Sequence, residues 1–138
     1  MSKIDNETAE LEFNRLCEAW EIDNDTENMT EEDRSSFNGQ KAKILNAVRR
    51  GRLIVEEDGE VLTYTFAKAD TAGCERITIK RPNGAGIISM DRYKDREGIH
   101  KTYAVLASMT GKDTSFFSKL DGIDIKVPLA VVALFLAS

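Results

Sequence analysis

The sequence ends on an uncharged stretch, VPLAVVALFLAS, and no charged residue follows Lys126. A helix over these residues would be apolar on every side, and such a helix is either buried in a core or covered by a partner. The chain has 138 residues, 41% of them hydrophobic, which is enough for one ordinary core. Because that core is small, we expect another polypeptide to cover much of the final helix, with complete burial inside the chain as the alternative.

The same stretch is too short to be a membrane anchor. A spanning helix needs roughly 20 apolar residues, and a helix lying on a membrane surface needs basic residues along a polar face. The opening residues, MSKIDNETAE, lack the basic and then apolar pattern of a secretory signal. We therefore expect no membrane partner and a cytoplasmic location.

The residue types that carry chemistry form no recognisable motif. Cys17 and Cys74 follow no zinc or disulfide spacing, and His100 has no motif partner that would make it a general base. The loop RPNGAG lacks the lysine and hydroxyl of a phosphate-binding loop, and the acidic residues do not follow the calcium-loop pattern. We expect a protein that is not an enzyme and that holds no cofactor and no metal.

Hydrophobic periodicity predicts two helices in the first part of the chain. The first runs from about Thr8 to Ile22, and its apolar face is formed by Phe13, Leu16, Cys17 and Trp20. The second is predicted to begin after Thr30, a typical N-cap residue, and to end at Gly51, which suits a left-handed C-terminal cap.

A change to alternating polarity then predicts strands. Residues 52–66 are expected to form a β-hairpin that turns at Asp58 and Gly59, and residues 74–81 a further strand that ends at Pro82. Three apolar segments follow: a helix over about 95–110, a short turn at 116–120 and a final helix from about Val127. The expected fold class is α+β, mainly helical with a small antiparallel sheet. Residues 1–70 and 71–138 are its two parts, in one compact unit with an appendage.

Charge is unevenly distributed between the first two helices. Acidic residues dominate up to Ser36, whereas the residues from Phe37 to Leu53 include several basic side chains and no acidic one. These basic residues are Lys41, Lys43, Arg49, Arg50 and Arg52. The two helices are expected either to pair through opposite charges or to wait for outside partners. With a net charge of −5 we expect no nucleic-acid partner, and a small DNA-binding regulator is the weaker alternative.

Four short elements follow one another in the second half of the chain: ITIKRP, YAVLASMTG, FFSKLDGIDI and a terminal LFLA. In their order and spacing, from roughly Cys74 to Ser138, they resemble the tail assembly chaperone family of long-tailed bacteriophages and prophages, of the Mu-like type. The first 66 or so residues lie outside this resemblance.

The resemblance implies a non-enzymatic assembly factor in the host cytoplasm. Such a factor binds the tape measure protein, a long and partly apolar helical chain, and keeps it soluble until the tail-tube protein polymerises around it. We expect a homo-oligomer that is absent from the finished virion, and a chain ending at Lys126 that still folds. The expected protein-binding residues are Phe116, Phe117, Val131, Leu134 and Phe135. The alternative is a virion structural protein of the tail or head–tail junction, in which the same apolar helix seals a ring.

Overall fold

A computed structural model describes residues 4–84 and 98–137 of the chain. These residues form six α-helices and three β-strands, which confirms the α+β fold class. The helices are α1 (Asn6–Ala19), α2 (Glu31–Arg49), α3 (Ala69–Ala72), α4 (Gly98–Thr110), α5 (Thr114–Ser118) and α6 (Gly122–Ala137). The strands are β1 (Leu53–Glu56), β2 (Val61–Thr65) and β3 (Arg76–Lys80).

The ends of the first two helices follow from local side-chain chemistry. The Asp5 carboxylate accepts a hydrogen bond from the Thr8 backbone N–H at 2.7 Å, and the Thr30 hydroxyl accepts one from the Asp33 N–H at 3.1 Å. Each satisfies a helix N–H that has no partner within the helix. Gly51 has φ 76°, so the predicted left-handed residue after α2 is confirmed.

The three strands form one antiparallel sheet in the order β1–β2–β3. Ile54 lies opposite Thr63, and Tyr64 lies opposite Ile77. One face of the sheet is buried against the helices and the other faces solvent, as the alternation of burial along each strand shows. Because β2 pairs with β3, the division at residue 70 runs through a single sheet.

The hairpin turn lies directly against α1. Gly59 has φ 97°, and a Cβ atom at this position would collide with the Arg15 carbonyl oxygen. Only a residue without a side chain allows this approach. On the same side of the turn, the Trp20 indole N–H donates a hydrogen bond to the Glu60 carbonyl at 3.2 Å. The backbone of the hairpin turn therefore contacts both the backbone of α1 and the side chain of Trp20, which follows α1.

The final helix begins earlier than the sequence predicts. It starts at Gly122 rather than Val127, because the Asp121 carboxylate accepts the Ile123 N–H at 2.9 Å and so caps the helix. Pro128 consequently lies inside α6 and not in its first turn. The segment between the hairpin and β3 contains α3. Most of the NGAG loop and the predicted helix start near residue 95 lie outside the described residues.

Candidate protein-binding surface

The residues predicted to contact a partner lie mainly in the chain's own core. Phe117, Val131 and Leu134 are each 1% exposed and Phe116 is 9% exposed. For these four side chains the expectation of an outside cover is wrong. The physical reason is that α6 packs along α2, which is 19 residues long, and against α4. These two helices supply the apolar surface that covers α6, so the core is larger than the sequence analysis predicted.

The fifth predicted residue, Phe135, is partly buried. Its ring meets that of Trp20 edge to face, with the ring centres 6.1 Å apart. Leu136, the next residue, is 40% exposed. The last turn of α6 therefore offers an apolar contact, as does Ile123 in its first turn, which is 54% exposed.

The two phenylalanines of α5 are positioned by the cap of that helix. Asp113 accepts hydrogen bonds from the Ser115 hydroxyl at 2.6 Å and from the Phe116 backbone N–H at 3.1 Å. These two bonds, the hydroxyl first, lower the pKa of the Asp113 carboxyl. The rings of Phe116 and Phe117 meet edge to face at 5.2 Å, and Phe116 also contacts Phe66 at 6.0 Å. Both are core aromatics.

A buried carboxylate links the sheet to α6, and no pattern in the sequence predicts it. Asp124 is 0% exposed and accepts three hydrogen bonds. The Tyr64 hydroxyl donates to Oδ1 at 2.9 Å, the Ala67 N–H to Oδ1 at 2.7 Å and the Lys68 N–H to Oδ2 at 2.8 Å. Three donors satisfy a charge that would otherwise be costly to bury. The local sequence around Asp124, DGID, is typical of a turn, and the three donors that bind this carboxylate lie 56 to 60 positions away in the sequence.

Two buried titratable groups resist ionisation. Burial, and then the hydrogen bond to Asp124, raises the pKa of the Tyr64 hydroxyl. Burial likewise raises the pKa of the Cys17 thiol to about 12, against a smaller opposing effect of the Lys41 charge. A thiol with so high a pKa is a poor nucleophile at neutral pH. Both side chains are part of the hydrophobic core, as predicted for Cys17.

The basic residues of the second helix divide between two roles. Lys41 Nζ forms an ion pair with Glu10 at 3.2 Å, and Arg49 donates to the Asn6 side-chain oxygen at 2.8 Å. These contacts fasten α2 to α1 and its N-terminal turn. The predicted pairing of the two helices is therefore confirmed for Lys41, whereas Lys43, Arg50 and Arg52 line a different surface, for which an outside partner stays a prediction.

That surface is a cleft of about 680 Å³ between α2, the start of β1 and α6, which we call the basic cleft. Four cationic side chains line it: Lys43, Arg50, Arg52 and Lys126. Ile123, which is 54% exposed, supplies an apolar wall, and Tyr64 also contributes to the lining. No acidic residue belongs to this lining among the described residues. The cleft suits an anionic partner that also carries an apolar group.

Across residues 4–84 and 98–137, no group of three or more histidine, cysteine or acidic residues is arranged to hold a metal ion. Within those ranges, none of the helices combines the length and the apolar character that crossing a membrane requires. The side chain of His100 lies outside the part that the structure describes.

Comparison with known proteins returned no matching family model, no matching curated protein and no matching solved structure.

Proposed function

We propose that the chain is a tail assembly chaperone, a non-catalytic factor that binds the tape measure protein in the host cytoplasm and keeps it soluble until the tail-tube protein assembles around it. The order of elements in the second half supports this proposal. The structural observation that carries it is the exposed apolar end of α6, where Leu136 is 40% exposed beside the partly buried Phe135.

A small contact of this kind suits a temporary partner. Most apolar side chains of α6, from Val127 to Leu134, are buried within the chain itself, so the protein does not need its client in order to fold. An apolar helix end that fits between the side chains of a long helical chain gives affinity without strict sequence recognition. Because the buried area is small, the complex can dissociate when tube subunits compete for the same client. The net charge of −5 keeps such a complex dispersed.

Co-expression with the tape measure protein tests the proposal. The wild-type chain is expected to increase the soluble fraction of the tape measure protein, and Leu136→Glu is expected to lose that effect. Leu11→Glu is the matched control, because Leu11 is 60% exposed on α1, away from the end of α6. If the wild-type chain leaves the tape measure protein insoluble, the function is wrong. If both variants act like the wild type, the contact is wrong.

Mass spectrometry of purified virions separates this proposal from its alternative. A chaperone is expected to be missing from finished particles. A virion structural protein that seals a ring would be present in a fixed ratio to the other tail or junction proteins.

A further inference from the structure

A run of carboxylates precedes and opens α2, and we call residues 21–33 the acidic segment. Its acidic residues are all exposed: Glu21, Asp23, Asp25, Glu27, Glu31, Glu32 and Asp33. The segment contains no basic residue. Arg34, which follows it, uses its guanidinium to donate to the Thr26 and Met29 carbonyls at 2.8 and 3.2 Å. No ion pair to another described residue neutralises these carboxylates.

The basic cleft has the complementary charge. Its four cations form no ion pair with any residue in the described ranges, unlike Lys41, which is paired with Glu10. Arg50 and Lys126 are exposed and come from different helical regions, the end of α2 and the first part of α6. Arg50 lies at the C-terminal end of α2, where the helix dipole favours a positive charge. The dipole of α2 does not explain why Lys126, which belongs to α6, lines the same cleft.

The two charged surfaces cannot neutralise each other within one chain. The acidic segment reaches the first turn of α2, and the basic cleft lies at the other end of the same helix. At a rise of about 1.5 Å per residue, Glu32 and Arg50 are separated by about 27 Å along the axis. Unpaired charges at such a separation are largely screened from one another at moderate salt. They are therefore available to a second molecule.

We propose that the basic cleft of one copy of this chain binds the acidic segment of a second copy. Several exposed carboxylates meet four cations in this contact, and the exposed Ile123 beside the cations adds apolar surface to it. Nucleic acid fits less well, because affinity for it grows with the number of phosphates that are neutralised, and only four cations line the cleft.

Such a contact joins two different surfaces and is therefore heterologous. Each copy keeps one free cleft and one free acidic segment after the first contact. Repetition gives a ring if the rotation between copies closes and an open chain if it does not. This inference is independent of the proposed function, since neither surface includes Phe135 or Leu136.

Sedimentation velocity of the full chain tests the inference. The wild type is expected to show a mass that rises with protein concentration at low salt and returns to the monomer at about 1 M salt, where the screening length falls to about 3 Å. The cleft variant, Arg50→Glu with Lys126→Glu, and the segment variant, Asp25→Lys with Glu32→Lys, are each expected to remain monomeric. All four substituted residues are exposed, and circular dichroism verifies that both variants fold.

A mixture of the two variants makes the test specific. The cleft variant keeps an acidic segment and the segment variant keeps a basic cleft, so equal amounts of the two are expected to associate although neither does so alone. Arg76→Glu with Lys80→Glu is the control, because it makes the same charge change on the open face of the sheet and should associate like the wild type.

Three results would overturn the inference. They are a wild type that stays monomeric at low salt, a mixture that does not associate, and a control variant that loses association to the same degree as the cleft variant. A DNA gel shift that disappears in the cleft variant while the wild-type protein remains monomeric would assign the cleft to nucleic acid instead.

Discussion

The Tyr64 hydroxyl donates a hydrogen bond to Oδ1 of Asp124 at 2.9 Å and so joins β2 to α6 across 60 positions of sequence. The same carboxylate accepts the backbone N–H groups of Ala67 and Lys68, which follow β2. One buried charge therefore fixes three things at once: the end of a strand, the loop after it and the first turns of the most apolar helix.

Removing this carboxylate is expected to weaken the fold more than removing the hydroxyl. Asp124→Ala leaves the buried Tyr64 hydroxyl and two partly buried backbone N–H groups without their acceptor. It should lower the free energy of unfolding by about 3 kcal/mol, whereas Tyr64→Phe should lower it by about 1 kcal/mol. Urea denaturation of both variants and of the double variant measures the coupling between the two side chains. Asp70→Ala, at an exposed aspartate of α3, is the control and should have little effect. Additive losses in the double variant would show that the two side chains do not interact.

Alkaline pH is expected to destabilise the protein through Cys17 and Tyr64. Burial raises the pKa of the Cys17 thiol from 9.0 to about 12, and it raises the Tyr64 pKa above its ordinary value of 10.0. The folded chain thus retains protons that the unfolded chain releases. This part of the stability is complete below pH 9 and is lost as pH rises from 9 toward 12.

Urea denaturation at a series of pH values between neutral and alkaline measures this loss. Cys17→Ala is expected to flatten the decline that begins near pH 9, even though its cavity lowers stability at every pH. Val48→Ala, which opens a cavity without removing a titratable group, should lower the stability at every pH and keep the wild-type slope. A Cys17→Ala profile parallel to that of the wild type would contradict the assignment.

Two glycines are expected to respond oppositely to alanine. Gly59→Ala places a Cβ against the Arg15 carbonyl in a left-handed backbone conformation, and should cost about 2 kcal/mol or more. Gly39 lies inside α2 with open space around it, so Gly39→Ala should stabilise the protein by about 0.5–1 kcal/mol. Thermal unfolding followed by circular dichroism compares them. A shift of both melting temperatures in the same direction would contradict the described geometry of the turn.

The enclosure of α6 predicts different effects of the same substitution at two of its positions. Val131 is 1% exposed, so Val131→Asp buries a charge with no partner and should cost about 4 kcal/mol or more, enough to unfold a marginally stable domain. Leu136 is 40% exposed, so Leu136→Asp should change the stability by less than about 0.5 kcal/mol. Solubility and cooperative thermal unfolding report the difference. A soluble Val131→Asp protein with a wild-type melting curve would show that α6 is not enclosed.

The same enclosure corrects the expectation for a shortened chain. Without the residues after Lys126, the core would lose Val131, Leu134 and their neighbours, so such a chain is expected to lose cooperative unfolding and not to remain folded.

The parts of the fold that sequence could predict are those that depend on neighbouring residues. The cap at Thr30, the left-handed Gly51 and the alternating strands follow from local rules, and each is confirmed. The burial of α6 could not be predicted in this way, because it depends on the packing of a distant helix, α2. Asp124 was missed for the same reason, since its acceptor role becomes visible only when β2 and α6 are brought together.

The position of Trp20 makes its intrinsic fluorescence a probe of the end of α6. It is the single tryptophan of the chain, its indole N–H is bound to the hairpin turn, and its ring lies against Phe135 beside the exposed Leu136. A polypeptide that docks at this end of α6 changes the surroundings of that indole. Its ultraviolet emission can therefore follow the encounter in an unlabelled protein.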